Sequence, residues 1–155
     1  GAGHNIQTVK VTLKQNNQII KTFDGVTVTP DAAGIFSGTI SNIPAGAYDI
    51  LIKGRAHLQR RVTPVLDTLV AGVNTRNWAT DGLALKPGDL AGVTLVSVPD
   101  DRVDGTDVAK LLQKFDILGT VPAGTIQDLN DDGKVEGFDM KLLLDNFDIL
   151  GHGDE

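Results

Sequence analysis

The chain has 155 residues, which is enough for one domain of typical size or two small ones. It contains no cysteine, which excludes a disulfide framework, a thiolate metal site and a cysteine nucleophile. The net charge is −6 and much of the acidic excess lies in the last third, whereas nucleic-acid binding requires a basic patch. No apolar run reaches the roughly 18 residues needed to cross a bilayer. We therefore expect neither a nucleic-acid partner nor a membrane span.

Short apolar segments with intervening turn residues fill the first part of the chain. Ile6, Val9, Val11 and Leu13 approximate the period-two alternation of a strand. Turns are predicted at residues 15–17, at Asp24-Gly25 and over residues 29–34, because Asn, Gly, Pro and Asp favour turns. The spacing predicts an antiparallel, Ig-like β-sandwich over residues 1–86.

The segment from Ile43-Pro44 through Gly46 to Tyr48 continues this pattern, since Pro and Gly make a bend and Tyr starts the next strand. It resembles the carboxypeptidase-regulatory or prealbumin-like sandwiches. Tyr48 and Trp78 could form a sugar-stacking platform, but one residue of each type favours core packing. The isolated cations that follow are predicted to lie on a solvated strand edge; they are Lys53, Arg55, Arg60 and Arg61.

A duplication organises the last third of the chain. Residues 103–119 match residues 135–151 at an offset of 32 residues, which indicates one unit used twice, each copy covering the other's apolar face. A helix is predicted in each copy by apolar residues at helical spacing, namely Val108, Leu111, Leu112 and Phe115, and Met140, Leu143, Leu144 and Phe147. The short turn at residues 86–88 joins this second domain, residues 87–155, to the first and predicts contact between them.

The second copy is preceded by a complete twelve-residue cation loop. Oxygen donors stand at positions 1, 3, 5, 9 and 12, glycine stands at position 6, and position 7 offers its backbone carbonyl, which is the arrangement that wraps Ca²⁺. The predicted ligands are Asp128, Asn130, Asp132, Lys134 through its carbonyl, Glu136 and Asp139.

The loop before the first copy is irregular. Counting back from Asp107 at position 12 gives Asp104 at position 9, Arg102 as the carbonyl at position 7 and Asp100 at position 5. Asp89 is the candidate for position 1, with residues 91–99 as an insertion, and Asp101 stands where the turn glycine belongs. We therefore expect two Ca²⁺ sites, the first of them atypical.

Residues of about 88 to 151 resemble a dockerin, a duplicated calcium-loop and helix module of extracellular assemblies. The resemblance implies an α+β class, in which the N-terminal antiparallel β-sandwich is followed by a small all-α pair of loop-helix units. It also implies a cohesin-like partner in trans and a location outside the cell or on its surface. The family's partner-selecting turn falls on residues 105–106 and 137–138, so Thr106 and Phe138 are the candidate partner-binding residues.

Three functions stay open at this point. The first is attachment to a protein partner, and the second is calcium-stabilised self-assembly into a filament or surface layer, with an N-terminal strand added to a neighbour's sheet. The third is carbohydrate binding by the β domain. We expect no enzymatic activity, because the histidines are isolated and no nucleophile elbow or phosphate-cradling loop is present.

Overall fold

The computed structural model describes residues 8–63, 65–80, 83–92 and 94–151. Seven strands and two helices lie in this part of the chain. In chain order they are β1 (Thr8–Gln15), β2 (Gln18–Thr27), β3 (Thr29–Pro30), β4 (Phe36–Ser37), β5 (Gly46–Gly54), β6 (Arg60–Arg61), β7 (Asp67–Leu69), α1 (Gly105–Leu112) and α2 (Gly137–Leu144). Neither helix is long and apolar enough to cross a membrane.

A tight hairpin joins β1 to β2. Asn16 and Asn17 have φ values of 48° and 62°, as a type I′ turn requires, so the turn predicted at residues 15–17 is confirmed. The turn predicted at Asp24-Gly25 is wrong, because β2 runs through it. Gly25, with φ of 62°, instead absorbs a bulge where the register between β1 and β2 shifts. Ile6 lies outside the described residues.

The main sheet has the strand order β2-β1-β5-β6, with β7 also paired to β5, and β3 and β4 form a second, two-stranded sheet. One face of the main sheet supplies the sandwich core, which includes Val9, Val11, Leu13, Tyr48 and Ile50. Tyr48 is 2% exposed and its hydroxyl donates to the Pro44 carbonyl at 2.9 Å. The predicted β-sandwich is confirmed, and Tyr48 belongs to its core.

The two helices are eight residues long and end before the positions predicted for them. Phe115 and Phe147 lie beyond α1 and α2. The reason is a reciprocal exchange: the Asp116 N–H donates to the Val135 carbonyl at 2.9 Å, and the Asp148 N–H donates to the Val103 carbonyl at 2.7 Å. Each chain segment thus leaves its helix to pair with the loop of the other copy.

The predicted α+β class with a separate all-α domain is wrong. Strands dominate the regular structure of the described residues, and turns and isolated bridges fill most of the region between the two helices. The core beneath the helices is shared with the N-terminal part, because Ala56 and Leu58 pack with Leu111 and Leu143. The predicted contact between the two parts is present, while the boundary at residues 86 and 87 stays a prediction.

Candidate functional site

Asp107 and Asp139 close the two duplicated loops in the same way. Both residues are fully buried. Asp107 accepts from the N–H groups of Leu90, Ala91 and Asp104 at 2.7, 2.9 and 2.7 Å. Asp139 accepts from Leu129, Asn130 and Glu136 at 2.7, 3.3 and 2.8 Å. The carboxylate at position 12 therefore anchors the loop's beginning to the start of the helix in both copies.

Position 1 is also equivalent in the two loops. The Gly133 N–H donates to Asp128 Oδ2 at 2.9 Å, and the Asp101 N–H donates to Asp89 Oδ2 at the same distance. Gly133 and Asp101 both have positive φ, 84° and 67°, so Asp101 adopts the backbone conformation of the turn glycine. Asp89 thus makes the same backbone contact as Asp128 despite the insertion, and its role as a metal ligand stays a prediction.

In the second loop, the side chains at positions 1, 3 and 5 lie next to one another. Asp128 Oδ1 accepts from the Asp132 N–H at 3.2 Å, and the Asn130 amide donates to Asp132 Oδ2 at 2.9 Å. Burial raises the pKa of Asp128, and a bound cation would counter that effect by favouring the carboxylate. Glu136 precedes α2, and the exposed Lys134 donates its N–H to Asp132 at 3.0 Å.

The acidic groups of this loop alone do not make a metal cluster. Among the described residues, no three His, Cys, Asp or Glu side chains are grouped so that they could hold a metal ion. The donor set of residues 128–139 is wider, because the amide of Asn130 and the carbonyl of Lys134 are hard oxygen ligands too. Its chemistry fits Ca²⁺, which takes six to eight oxygens. The ligand assignments stay predictions.

The first loop brings together a different group. Lys53, from β5, donates from its ammonium to Asp89 Oδ2 at 2.5 Å and to Asp101 Oδ1 at 3.1 Å. Burial raises the pKa of Asp89 to about 6, against the opposing effect of the Lys53 charge. Burial also raises the pKa of Asp107. The sequence placed Lys53 on a solvated edge, which is wrong, since its side chain is only 17% exposed.

The side chains of the other predicted ligands of the first loop do not contact the Lys53 ammonium. Asp104 caps α1 by accepting from the Thr106 N–H at 2.7 Å. Asp100 is exposed, and the guanidinium of Arg102 pairs with Asp148 at 2.8 Å. The sequence signal that could have identified Lys53 is the alternation of side chains along β1 and β5, which places Lys53 on the same sheet face as other polar residues. Lys10, Thr12 and Lys14 in β1, and Leu51 and Lys53 in β5, share the sheet face opposite the sandwich core.

The helical region exposes apolar side chains in matched pairs. Leu112 and Leu144 are 53% and 51% exposed, and their neighbours Phe115 and Phe147 are 39% and 46% exposed. Leu118 and Leu150 form a third pair at the same offset. Phe138 is 52% exposed, whereas Thr106 lines an open groove between α1 and the insertion, with Gly105, Ala109, Thr94, Leu95 and Val96.

No family model and no curated protein matches the chain. Its structure is similar to two crystal structures of type II cohesin–X-dockerin complexes from Acetivibrio cellulolyticus. The complex with an N-terminal interface mutant matches with 18% identity and a TM-score of 0.58, and the complex with a C-terminal interface mutant matches with 17% and 0.59. Each match covers 93% of this chain and 83% of the other chain. At this identity the likeness shows the fold.

These comparisons correct the resemblances drawn from the sequence. The matched structures are cohesin–dockerin complexes with a cohesin-like β-sandwich fold, and the match covers 93% of this chain. The two eight-residue helices of the described chain are not the helix pair of a dockerin-like domain at residues 88–151. The resemblance of the sandwich to carboxypeptidase-regulatory or prealbumin-like domains is also wrong, because the matched fold is a cohesin-like β-sandwich.

Proposed function

We propose that this chain is an extracellular, non-catalytic attachment module that binds a protein partner through the surface around α1 and α2. The observation that carries the proposal is the repetition of exposed apolar pairs, Leu112 with Leu144, Phe115 with Phe147 and Leu118 with Leu150. Packing in the protein core does not explain why these residues are apolar, because their side chains are exposed to solvent. Exposed apolar side chains that occur in groups rather than singly are typical of sites that bind proteins.

The size of the effect supports a binding role. Full burial of one Leu or Phe side chain is worth about 1.5–3 kcal/mol, so covering even a few of these half-exposed groups supplies several kcal/mol. Phe138 stands at the start of α2 and adds a large aromatic group of the kind that anchors interfaces.

The proposal includes one Ca²⁺ held by the loop at residues 128–139. Asp128, Asn130, Asp132, Glu136, Asp139 and the Lys134 carbonyl would hold it. A bound cation neutralises the buried carboxylates and fixes the loop against α2. Millimolar calcium outside cells would fill such a loop without tight binding, which is consistent with an extracellular or cell-surface location.

The partner is expected to come from the same kind of assembly as the matched structures, which are complexes of a cohesin with an X-dockerin. Surface plasmon resonance with each purified component, in calcium and in EDTA, tests this. We expect calcium-dependent binding to one component. The double variant Leu144→Ala/Phe147→Ala should weaken binding by at least about tenfold, or ~1.4 kcal/mol.

Val73→Ala is the matched control, because Val73 is apolar and 92% exposed but lies outside the duplicated region. It should leave binding unchanged. If neither component binds at micromolar concentration, the proposal is wrong for this partner class. If Val73→Ala weakens binding as much as the double variant does, the partner does not bind specifically at the surface around α1 and α2.

Self-assembly is the second candidate, and one observation favours it. The ten-residue strand β2 lies at the edge of the main sheet and exposes Ile19 and Ile20, which are 63% and 45% exposed. Such an edge can pair with another chain. Sedimentation velocity should then show calcium-dependent oligomers that Ile20→Lys disperses. The N-terminal strand invoked for this function lies mainly outside the described residues, and burial of Tyr48 argues against the carbohydrate platform.

A further inference from the structure

The Lys53 ammonium lies at the junction of the sheet and the first loop. Its three donors go to Asp89 Oδ2 at 2.5 Å, Asp101 Oδ1 at 3.1 Å and the His57 carbonyl at 3.1 Å. An ammonium has three N–H bonds, so its hydrogen-bonding capacity is used in full. Because the side chain is 17% exposed, the charge is held largely away from water.

The second loop has no such arrangement. The hydrogen bonds that Asp128 accepts in the described part of the chain come from backbone N–H groups of Asp132 and Gly133. Asp89 has the same contact from position 6, and its Oδ2 also accepts from Lys53, while its buried Oδ1 accepts no hydrogen bond from the residues that the structure describes. The two loops therefore share a backbone frame and differ in how the position 1 charge is balanced.

We propose that the Lys53 ammonium is the cation of the first loop and that it excludes Ca²⁺ from that loop. Calcium would need the carboxylate of Asp89, whose Oδ2 is in contact with the ammonium, and two cations cannot share that carboxylate at contact distance without strong repulsion. The chain then binds one Ca²⁺ rather than the two expected from the duplication. The count of one rests on the proposed site at residues 128–139, but the exclusion does not.

Asp101 supports this inference because it departs from the loop pattern and provides a second carboxylate for Lys53. It replaces the turn glycine, keeps the positive φ, and its Oδ1 accepts from both Lys53 and the Gln59 N–H. Its carboxylate also lies against Gly151, where any side chain would collide with it. Asp tolerates the positive φ of this position, and its side chain ties the loop to the sheet, which glycine could not do.

The surroundings of Lys53 also disfavour a divalent cation. A cavity of about 210 Å³ separates this sheet face from the loop. Lys10 and Lys14 line it together with Lys53, and Asp100 and Asp101 line the loop side. The additional positive charges raise the potential where a metal ion would approach.

Equilibrium dialysis with Ca²⁺ tests the exclusion. The wild-type chain should bind one ion and Lys53→Met should bind two, because methionine keeps much of the aliphatic stem and removes the charge. Lys10→Met, which alters the same cavity but not the ion pairs, should still bind one. Two ions in the wild type, or a folded Lys53→Met that binds no more ions than the wild type, would overturn the proposal.

The variant Asp128→Ala/Asp132→Ala separates this inference from the proposed function. It should bind no calcium, and adding Lys53→Met should restore one ion. If the wild type binds none and Lys53→Met binds one, the site at residues 128–139 is wrong while the exclusion stands.

A measurement on the wild type covers the case in which Lys53→Met does not fold. A hydrogen-bonded, buried ammonium exchanges its protons slowly and gives an observable ¹H–¹⁵N signal, which correlations along the side chain can assign to Lys53. That signal should persist unchanged at saturating calcium. Its absence, or its loss on calcium addition, would show that Lys53 does not hold the loop.

Discussion

The two duplicated loops use one backbone frame with two different sources of positive charge. In both, the carboxylate at position 12 accepts three backbone N–H groups, and the carboxylate at position 1 accepts the N–H of position 6. A lysine from the sheet completes the first loop, whereas we propose calcium for the second. Backbone hydrogen bonds therefore define the frame, and the source of positive charge can differ between the two loops.

The largest expected effect comes from removing the shared anchor. Asp107→Ala and Asp139→Ala each leave three backbone N–H groups without an acceptor, at about 1–3 kcal/mol for each buried group, so each should cost at least about 3 kcal/mol. Urea denaturation in calcium and in EDTA measures both. Asp107→Ala should cost the same in the two buffers, and Asp139→Ala should cost more in calcium. If calcium changes the stability loss of the two variants equally, the proposed difference between the loops is wrong.

A smaller effect is expected from Asp89→Ala. It removes the closest partner of the Lys53 charge, and breaking a partly buried pair of this kind should cost about 2–3 kcal/mol. Calcium stoichiometry should not change, because the second loop is untouched. Urea denaturation and isothermal titration calorimetry check the two outcomes. A loss of one bound calcium would instead make Asp89 a metal ligand.

The smallest effect on stability is expected from exchanging the helix-start residues. Phe138→Thr and Thr106→Phe alter exposed or half-buried positions and should change the free energy of unfolding by no more than about 0.5 kcal/mol. Partner binding should respond unequally: Phe138→Thr should weaken it, since it removes the aromatic group. A larger loss from Thr106→Phe would place the partner over α1 instead.

Local turn chemistry was predictable from the sequence, and long-range pairing was not. The Asn16-Asn17 turn follows from residues that tolerate positive φ. Asp24-Gly25 has the same kind of signal, but pairing with β1 converts it into a bulge within β2. The predicted helices extend too far, to Phe115 and Phe147, because apolar residues continue there at helical spacing. The sequence does not reveal that these segments pair with the opposite loop.

For the candidate site, the duplication located Asp89 across an insertion, because the pattern around Asp128 could be searched for again. The same reasoning missed Lys53. An isolated lysine in a strand is usually solvated, and its partners lie 36 and 48 residues further along the chain. Only the packing of the first loop against the sheet brings these groups together.

The paired hydrogen bonds from Asp116 to Val135 and from Asp148 to Val103 have a consequence for inheritance. Each copy supplies the strand-like segment that completes the other's loop, so a gene encoding one copy would leave a carbonyl and an exit segment without their partners. Loss of either copy should therefore destabilise the other, whereas a change of the cation in one loop should not.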